Sequence, residues 1–175
     1  MITLINPNLV VQSNDLFTTG IVYMPLTLAC FAAVVRENGF PCEVIDAFGE
    51  KTGQTWEEKG FIFRGLTPSE VANKVDDQSK AVFLYAGNLT YHASVLKLIK
   101  KISSSYRHIP LVVMENTEAV TAYSLRRLQH LFFDTGADYL VTGEPEERGL
   151  DLLRAIIQAS ENDSLSTIDG IGFRK

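Results

Sequence analysis

The feature that most constrains the fold is the run at 138–147, which reads Asp-Tyr-Leu-Val-Thr-Gly-Glu-Pro-Glu-Glu. Its apolar start predicts a short strand. The proline and the acids around it predict a helix start, because proline fits the first turn of a helix and acids complement the helix dipole. A strand that passes directly into a helix is typical of the ligand-facing corner of a parallel α/β sheet.

The same alternation of strand and helix repeats along the whole chain. The third strand is apolar on both faces, which places it in the middle of the sheet. We predict a flavodoxin-like (Rossmann-like), doubly wound sheet of five parallel strands in the order 2-1-3-4-5, with helices on both faces and three layers in all. The predicted strands are 2–6, 42–46, 81–85, 110–114 and 138–142, and the predicted helices begin near 23, 67, 91, 122 and 145.

Local signals define several element ends. Thr67 and Glu70 form a predicted capping box, with Pro68 in the first turn of the helix. Gly39 is a natural end for the first helix, and the run 170–173 is a candidate edge strand. The predicted inner face of the first helix consists of Ala29, Ala32, Ala33 and Val34.

Composition and charge exclude some functional classes. The net charge is −5 and the sequence pI is about 5.2, whereas a nucleic-acid surface needs a basic stripe, so we expect no nucleic-acid partner. No apolar run approaches the ~20 residues that span a bilayer, and the start of the chain does not resemble a signal peptide. We therefore expect no membrane partner and a cytoplasmic location. Cys30 and Cys42 are isolated in the sequence and are expected to be buried free thiols.

Two segments are too long for simple connections, because most loops in α/β units have about 2–6 residues. They are the loop at about 7–20 and the segment 47–66, which contains Trp56, Phe61 and Phe63. Three large aromatic side chains are unusual in a disordered loop. We interpret these segments as a lid or rim over the ligand edge, and the alternative is a packed surface excursion without a ligand.

In such a sheet, ligands bind outside the carboxyl ends of the strands, at the switch point between the first and third strands. The loops at that edge are 7–20, 86–91, 115–121 and 142–146. The loop after the first strand lacks the Gly-x-Gly-x-x-Gly of dinucleotide sites, and the lysine ending of a P-loop is absent. The neutral residues of that loop argue against a phosphorylated receiver domain. A flavin remains open, because the loop contains serine and threonine.

The runs at 2–8, 138–147 and 169–174 together resemble the N-terminal cobalamin (B12)-binding domain of radical S-adenosylmethionine enzymes. The resemblance implies a cobalamin-binding domain over 1–160 and a linker over 161–175 toward a catalytic barrel outside this sequence. It implies cobalamin as the cofactor, that barrel as the partner and a parent enzyme of the methyltransferase type. No Cys-x-x-x-Cys-x-x-Cys is present, so we expect no iron–sulfur cluster and no catalytic residue in this chain.

Relatives of the methionine-synthase type carry Asp-x-His-x-x-Gly after the first strand, and its histidine ligates the cobalt. Here the residues are Asn6, Pro7 and Asn8, and the chain has no histidine before His92. The resemblance therefore implies that the corrinoid is bound base-off without a protein histidine, as in the radical enzymes. His92 is predicted to have a surface or capping role.

The resemblance implies cofactor-binding residues in four segments of the carboxyl edge. The turn after the third strand keeps the Leu of the family's Ser-x-Leu pattern, and the alternative there is a plain helix cap by Asn88 or Thr90. The alternative for Glu144 is to complement its own helix dipole. The implied residues are Asn6, Pro7, Asn8 and Tyr23 near the first strand, Gly87, Asn88, Leu89 and Thr90 after the third, Glu115, Asn116 and Thr117 after the fourth, and Thr142, Gly143 and Glu144 after the fifth.

Glu115 and Asn116 stand where the family usually has Gly-Gly. Burial of an unpaired carboxylate is costly, so Glu115 must turn outward, find a partner or block the site. We predict that it turns outward and that binding is retained but weak. Two other interpretations remain: a degenerate scaffold or interaction domain of the same enzyme family, and a flavodoxin-like domain for another ligand.

Overall fold

A computed structural model of the chain describes residues 1–14, 25–115, 125–158 and 165–174. Within these ranges it contains nine strands and five α-helices. The strands are β1 (Ile2–Asn6), β2 (Leu9–Gln12), β3 (Cys42–Asp46), β4 (Thr55–Glu58), β5 (Phe61–Arg64), β6 (Ala81–Ala86), β7 (Leu111–Glu115), β8 (Tyr139–Val141) and β9 (Ile171–Phe173). The helices are α1 (Leu26–Glu37), α2 (Pro68–Lys74), α3 (His92–Ser105), α4 (Leu125–Thr135) and α5 (Pro145–Ile157), with short 3₁₀ turns at Gly49–Lys51 and Leu89–Tyr91.

The main sheet has six strands in the order β3-β1-β6-β7-β8-β9. The five strands from β3 to β8 pair in parallel, and β9 pairs with β8 antiparallel. The mostly parallel α/β architecture agrees with the prediction. The predicted count of five strands is wrong, and the order differs from the predicted one because β9 is added beside β8. The candidate edge strand at 170–173 is confirmed as β9.

Apolar cores cover both faces of the main sheet, because successive strand residues point to opposite sides. On one side, Leu84 of β6 and Val113 of β7 belong to a core that includes buried residues of α2, α3 and α4. On the other side, Phe83 and Met114 belong to a core with buried residues of α1 and α5. The described residues therefore form three layers, helix on sheet on helix.

Helix α1 packs on the sheet through a different face from the one predicted. Its buried residues are Leu28, Phe31, Ala32 and Val35, whereas Ala29 and Ala33 are exposed. The large apolar side chains set the orientation because they bury more surface than alanine. The Phe31 ring lies 5.0 Å from that of Phe83, with Gly149 of α5 close beside it. As a result Cys30 is exposed, and its predicted burial is wrong.

The two long segments contribute a second, smaller sheet. Strands β2, β5 and β4 pair antiparallel in that order. The hairpin between β4 and β5 turns through Lys59 and Gly60, which both have positive φ, as a type I′ turn requires. Within it, the rings of Trp56 and Phe63 stack 5.2 Å apart. This sheet packs beside α3 and beside the turn at Leu89–Tyr91. Its interpretation as a lid or rim stays a prediction.

Helix α2 begins as the sequence predicts. Glu70 N donates to Thr67 Oγ1 (3.2 Å), and Thr67 N donates to Glu70 Oε2 (2.7 Å), so the capping box is confirmed. Lys51 and Gln54 also donate to the Glu70 carboxylate, which ties α2 to the start of the small sheet. These hydrogen bonds, that from Lys51 first, lower the pKa of Glu70 to about 2.

Candidate functional site

The parallel strands of the main sheet end together at one edge, here called the carboxyl edge. Strand β1 ends at Asn6 and β3 at Asp46, and these residues are paired in register. Asn6 Nδ2 donates to Asp46 Oδ1 (2.9 Å), and Gly49 N donates to the same oxygen (2.9 Å). The Asn6 side chain therefore joins the end of β1 to the end of β3.

Asn8, two residues beyond the end of β1, joins three parts of the molecule. Its side chain is 1% exposed. Nδ2 donates to the carbonyl oxygens of Leu66 (2.6 Å) and Arg64 (3.2 Å). Ser94 Oγ donates to Asn8 Oδ1 (3.0 Å) and accepts from Asn8 N (3.1 Å). The polar atoms of the Asn8 side chain are thus engaged within the protein, and Pro7 beside it is buried.

The turn after β6 presents small and apolar groups. A Cβ on Gly87 would collide with the Tyr85 ring, so the close approach of that ring requires glycine. Asn88 Oδ1 accepts from Thr90 N and Thr90 Oγ1, both at 2.9 Å. The capping alternative for Asn88 is therefore observed at the 3₁₀ turn. Leu89 projects from this turn with 53% of its surface exposed.

Glu115 does not turn outward, and that prediction is wrong. It is the last residue of β7 and is 7% exposed. Gly143 N donates to Glu115 Oε1 (2.9 Å), so the carboxylate bridges the ends of β7 and β8. Burial removes the carboxylate from water, which costs free energy. The hydrogen bond from the Gly143 amide offsets this cost, because a hydrogen bond to a charged group is stronger than one between neutral groups.

The turn from β8 into α5 is fastened to the C-terminal segment. Thr142 N and Thr142 Oγ1 both donate to the Gly170 carbonyl, at 2.8 and 2.9 Å. Arg148 donates to Thr142 O (2.7 Å) and to Asp169 Oδ2 (2.7 Å). Gly143 has a φ of +87°, and a side chain there would collide with Arg148. Glu144 is exposed, and its side chain makes no capping hydrogen bond.

Sequence reasoning did not identify Arg148 or Asp169 at this edge. The available signal was the pair of glycines at 143 and 170, which both adopt positive φ where the two segments meet. Arg148 lies one turn inside α5, so its reach back to Thr142 follows from helix geometry once Pro145 is accepted as the helix start.

The histidines have distinct surroundings. His92 begins α3 at the carboxyl edge, and its ring meets that of Phe132 edge-on at a centroid distance of 5.9 Å. Burial lowers the pKa of His92 and favours the neutral imidazole. His108 is exposed and faces Asp77, with 3.4 Å between Nε2 and Oδ1. His130 is exposed on α4.

Several predicted site residues, Tyr23, Asn116 and Thr117, lie outside the described residues. Across the described ranges, no group of three or more His, Cys, Asp or Glu side chains is placed to hold a metal ion. In the same ranges, no helix is long and apolar enough to cross a membrane. The structure brings Asn6, Gly87, Leu89, Glu115 and Gly143 to one edge of the main sheet.

Comparison with known proteins shows a related fold. No protein-family model matches the chain, and no curated protein matches it. Among solved structures, the chain is similar to the radical S-adenosylmethionine methyltransferase TsrM from Kitasatospora setae, with tryptophan substrate and the SAM analogue aza-SAM bound. The TM-score is 0.64 and the identity is 16%, over 99% of this chain and 28% of that chain. This chain thus spans a minor part of the length of that enzyme.

Proposed function

We propose that this chain is the cobalamin-binding module of a radical S-adenosylmethionine enzyme, of the methyltransferase type. The observation that carries the proposal is the likeness of nearly the whole chain to one part of a radical S-adenosylmethionine methyltransferase. The motifs at both ends of the chain resemble the cobalamin-binding domain of that class of enzyme. The proposed partner is the catalytic barrel of the parent enzyme, in the cytoplasm.

The chemistry of the described edge residues fits a corrinoid, which is a broad ring with an apolar face and amide side chains. Leu89 offers an exposed apolar surface at the turn after β6. Leu26, 65% exposed, begins α1; the last turn of this helix lies at the start of β3, where Arg36 donates to Cys42 O, so the helix begins toward the carboxyl edge. Asn88 and Thr90 carry neutral polar groups suited to amides.

In this proposal the cobalamin supplies the methyl-carrying chemistry, and the chain supplies binding and orientation. Leu89 would contact the ring, the Asn88 amide nitrogen would donate to its amide carbonyls, and Thr90 Oγ1 would accept from its amide N–H groups, because Asn88 Oδ1 is already bonded to Thr90. Asn8 and Glu115 would hold the neighbouring segments in place, because their polar atoms bond within the protein. The binding is base-off and involves no protein imidazole.

Titration of the purified chain with hydroxocobalamin tests this proposal. We expect saturable binding, measured by the absorption spectrum of the corrinoid after removal of free ligand. His92→Ala should leave the spectrum of the bound corrinoid unchanged, because His92 packs edge-on against Phe132 and does not ligate cobalt. A shift of that spectrum in the variant would contradict base-off binding without a protein histidine.

One observation favours a second function, that of a scaffold without the cofactor. Glu115 occupies the space between the ends of β7 and β8, where the resembling family usually has glycines. The double variant Glu115→Gly with Asn116→Gly should bind hydroxocobalamin more tightly than the parent chain if Glu115 merely restricts the site. Absence of binding by both proteins would instead support the scaffold function.

A further inference from the structure

A shallow groove lies on the outer surface of the molecule, between the small sheet and helices α2 and α3. It has a volume of about 320 Å³. Its lining comes from β4, α2 and α3, and none of it comes from the main sheet or the carboxyl edge. The lining residues are Trp56, Glu58, Pro68, Lys97, Lys100, Lys101 and Ser104.

One wall of the groove is a fixed aromatic surface. The Trp56 ring stacks on Phe63 with an interplanar angle of 8°. Phe63 is buried, and the Lys97 ammonium lies 5.3 Å from its ring centroid, within the range of a cation–π contact. Since Phe63 covers one face of the indole and Trp56 lines the groove, a flat ring can stack on the other face.

The opposite wall is a basic face of α3. Lys97, Lys100, Lys101 and Ser104 are spaced i, i+3, i+4 and i+7, so they lie along one side of the helix. Lys97 Nζ pairs with Glu58 (2.5 Å). Within the described ranges, no carboxylate lies within ion-pair distance of Lys100 or Lys101. The groove therefore carries three ammonium groups and one carboxylate on a chain whose overall net charge is −5.

We propose that this groove binds a small organic anion, with its flat ring on Trp56 and its carboxylate or phosphate between Lys100 and Lys101. The volume is at the lower end of the range for small-molecule sites, Trp56 offers an aromatic surface for the ring, and the lysines offer positive charge for the anionic group. This proposal does not depend on cobalamin binding, because the groove shares no residue with the carboxyl edge.

The sole tryptophan of the chain, Trp56, gives a direct readout. The probes are benzoate, phenyl phosphate and benzyl alcohol, which share one ring and differ in the charged group. At constant ionic strength and without cobalamin, we expect the ¹⁵N–¹H resonance of the Trp56 indole to shift saturably with an anion and far less with benzyl alcohol. The comparison of benzoate with phenyl phosphate shows which anionic group the lysines prefer.

Matched variants locate the anion. Lys100→Gln with Lys101→Gln should weaken anion binding by about tenfold, because two exposed ion contacts are lost. Lys100→Arg with Lys101→Arg should retain binding. Lys80→Gln with Arg107→Gln, which removes the same charge elsewhere on the surface, should also retain it.

Three results with the aromatic probes would overturn the proposal. They are the absence of a saturable shift with either anion, an equal shift with benzyl alcohol, and equal anion affinity in the parent and the Lys100→Gln, Lys101→Gln variant. An octaglutamate peptide that binds more tightly than both aromatic anions would also overturn it, and would assign the groove to an acidic segment of a protein partner.

Discussion

The β1–β6 side and the β7–β8 side of the carboxyl edge are held by different kinds of bonds. On the β1–β6 side, Asn8 makes neutral hydrogen bonds, mostly buried, and Leu89 is exposed at the turn after β6. On the β7–β8 side, charged groups form the ties, through Glu115 and Arg148. The β1–β6 side therefore leaves an apolar surface exposed, whereas the β7–β8 side uses its polar groups to join the sheet to the C-terminal segment.

The largest expected effect is a loss of folding stability on the β1–β6 side. Asn8→Ala should lower the free energy of unfolding by ~2–4 kcal/mol, because it removes the donor to the buried Leu66 carbonyl and to the part-buried Arg64 carbonyl, and the acceptor of the buried Ser94 hydroxyl. Chemical denaturation of the purified chain measures this. Asn88→Ala is the matched control on the exposed turn and should cost only ~1 kcal/mol, as expected for a lost cap. Equal losses would show that Asn8 does not carry the support assigned to it.

The next largest effect is a loss of folding stability on the β7–β8 side. Gly143→Ala places a side chain where φ is positive and where the Arg148 guanidinium lies. The strain costs ~1–2 kcal/mol, and displacement of Arg148 from Thr142 O should add ~1 kcal/mol. Gly39→Ala has a similar φ of +81° with nothing within 4 Å of the new side chain, so it reports the strain alone. If thermal or chemical denaturation gives the same loss for both variants, the Arg148 contact does not stabilise the turn.

Two variants of Glu115 test whether the acceptor oxygen or the negative charge of its side chain determines the stability of the β7–β8 side. Glu115→Gln keeps an oxygen that can accept from Gly143 N, whereas Glu115→Leu leaves that amide without an acceptor. We expect Glu115→Leu to lose ~1–2 kcal/mol more than Glu115→Gln in chemical denaturation. The reverse order would show that the buried charge itself destabilises the edge.

The smallest effect is a pH dependence at the start of α3. Burial lowers the pKa of His92 in the folded chain, so below its ordinary pKa of about 6.5 the unfolded chain binds more protons than the folded one. Stability should therefore fall as the pH decreases from about 7 through that value. His92→Gln should remove this part of the pH dependence, and His130→Gln, on the exposed surface of α4, should not. A pH profile unchanged by His92→Gln would contradict the assignment.

The main strands and helices could be predicted because apolar periodicity is a local signal. The strands at 2–6 and 42–46 have the predicted bounds. The face of α1 was not predicted, because the choice between alanines and larger side chains depends on Phe83 and Gly149, which lie far along the chain. The small sheet was missed for a related reason. Its pairing of β2 with β5 is non-local, although the Lys59-Gly60 turn between alternating residues was a usable hairpin signal.

The positions of the strand ends could be predicted from the sequence, but the hydrogen bonds at the candidate site could not. A sheet of this class fixes where the strands end, so the edge segments at Asn6, Gly87 and Gly143 follow from the order of elements. The partner of Glu115 could not be read from the sequence, because Gly143 comes near only when β7 and β8 pair. The family resemblance showed that Glu115 stands where glycine is usual. Only the fold shows which group donates a hydrogen bond to its carboxylate.

The central proposal is that a corrinoid binds at the carboxyl edge, over the exposed surface of Leu89. The most direct measurement is the affinity of hydroxocobalamin for Leu89→Glu and for Ile157→Glu. Ile157, 41% exposed, ends α5 at the opposite edge of the main sheet, so the two variants make the same chemical change at opposite edges. We expect Leu89→Glu to weaken binding by about tenfold or more, since a charge would replace an apolar contact. Ile157→Glu should leave binding unchanged. Equal affinities in the two variants, or no binding by the parent chain, would contradict the account.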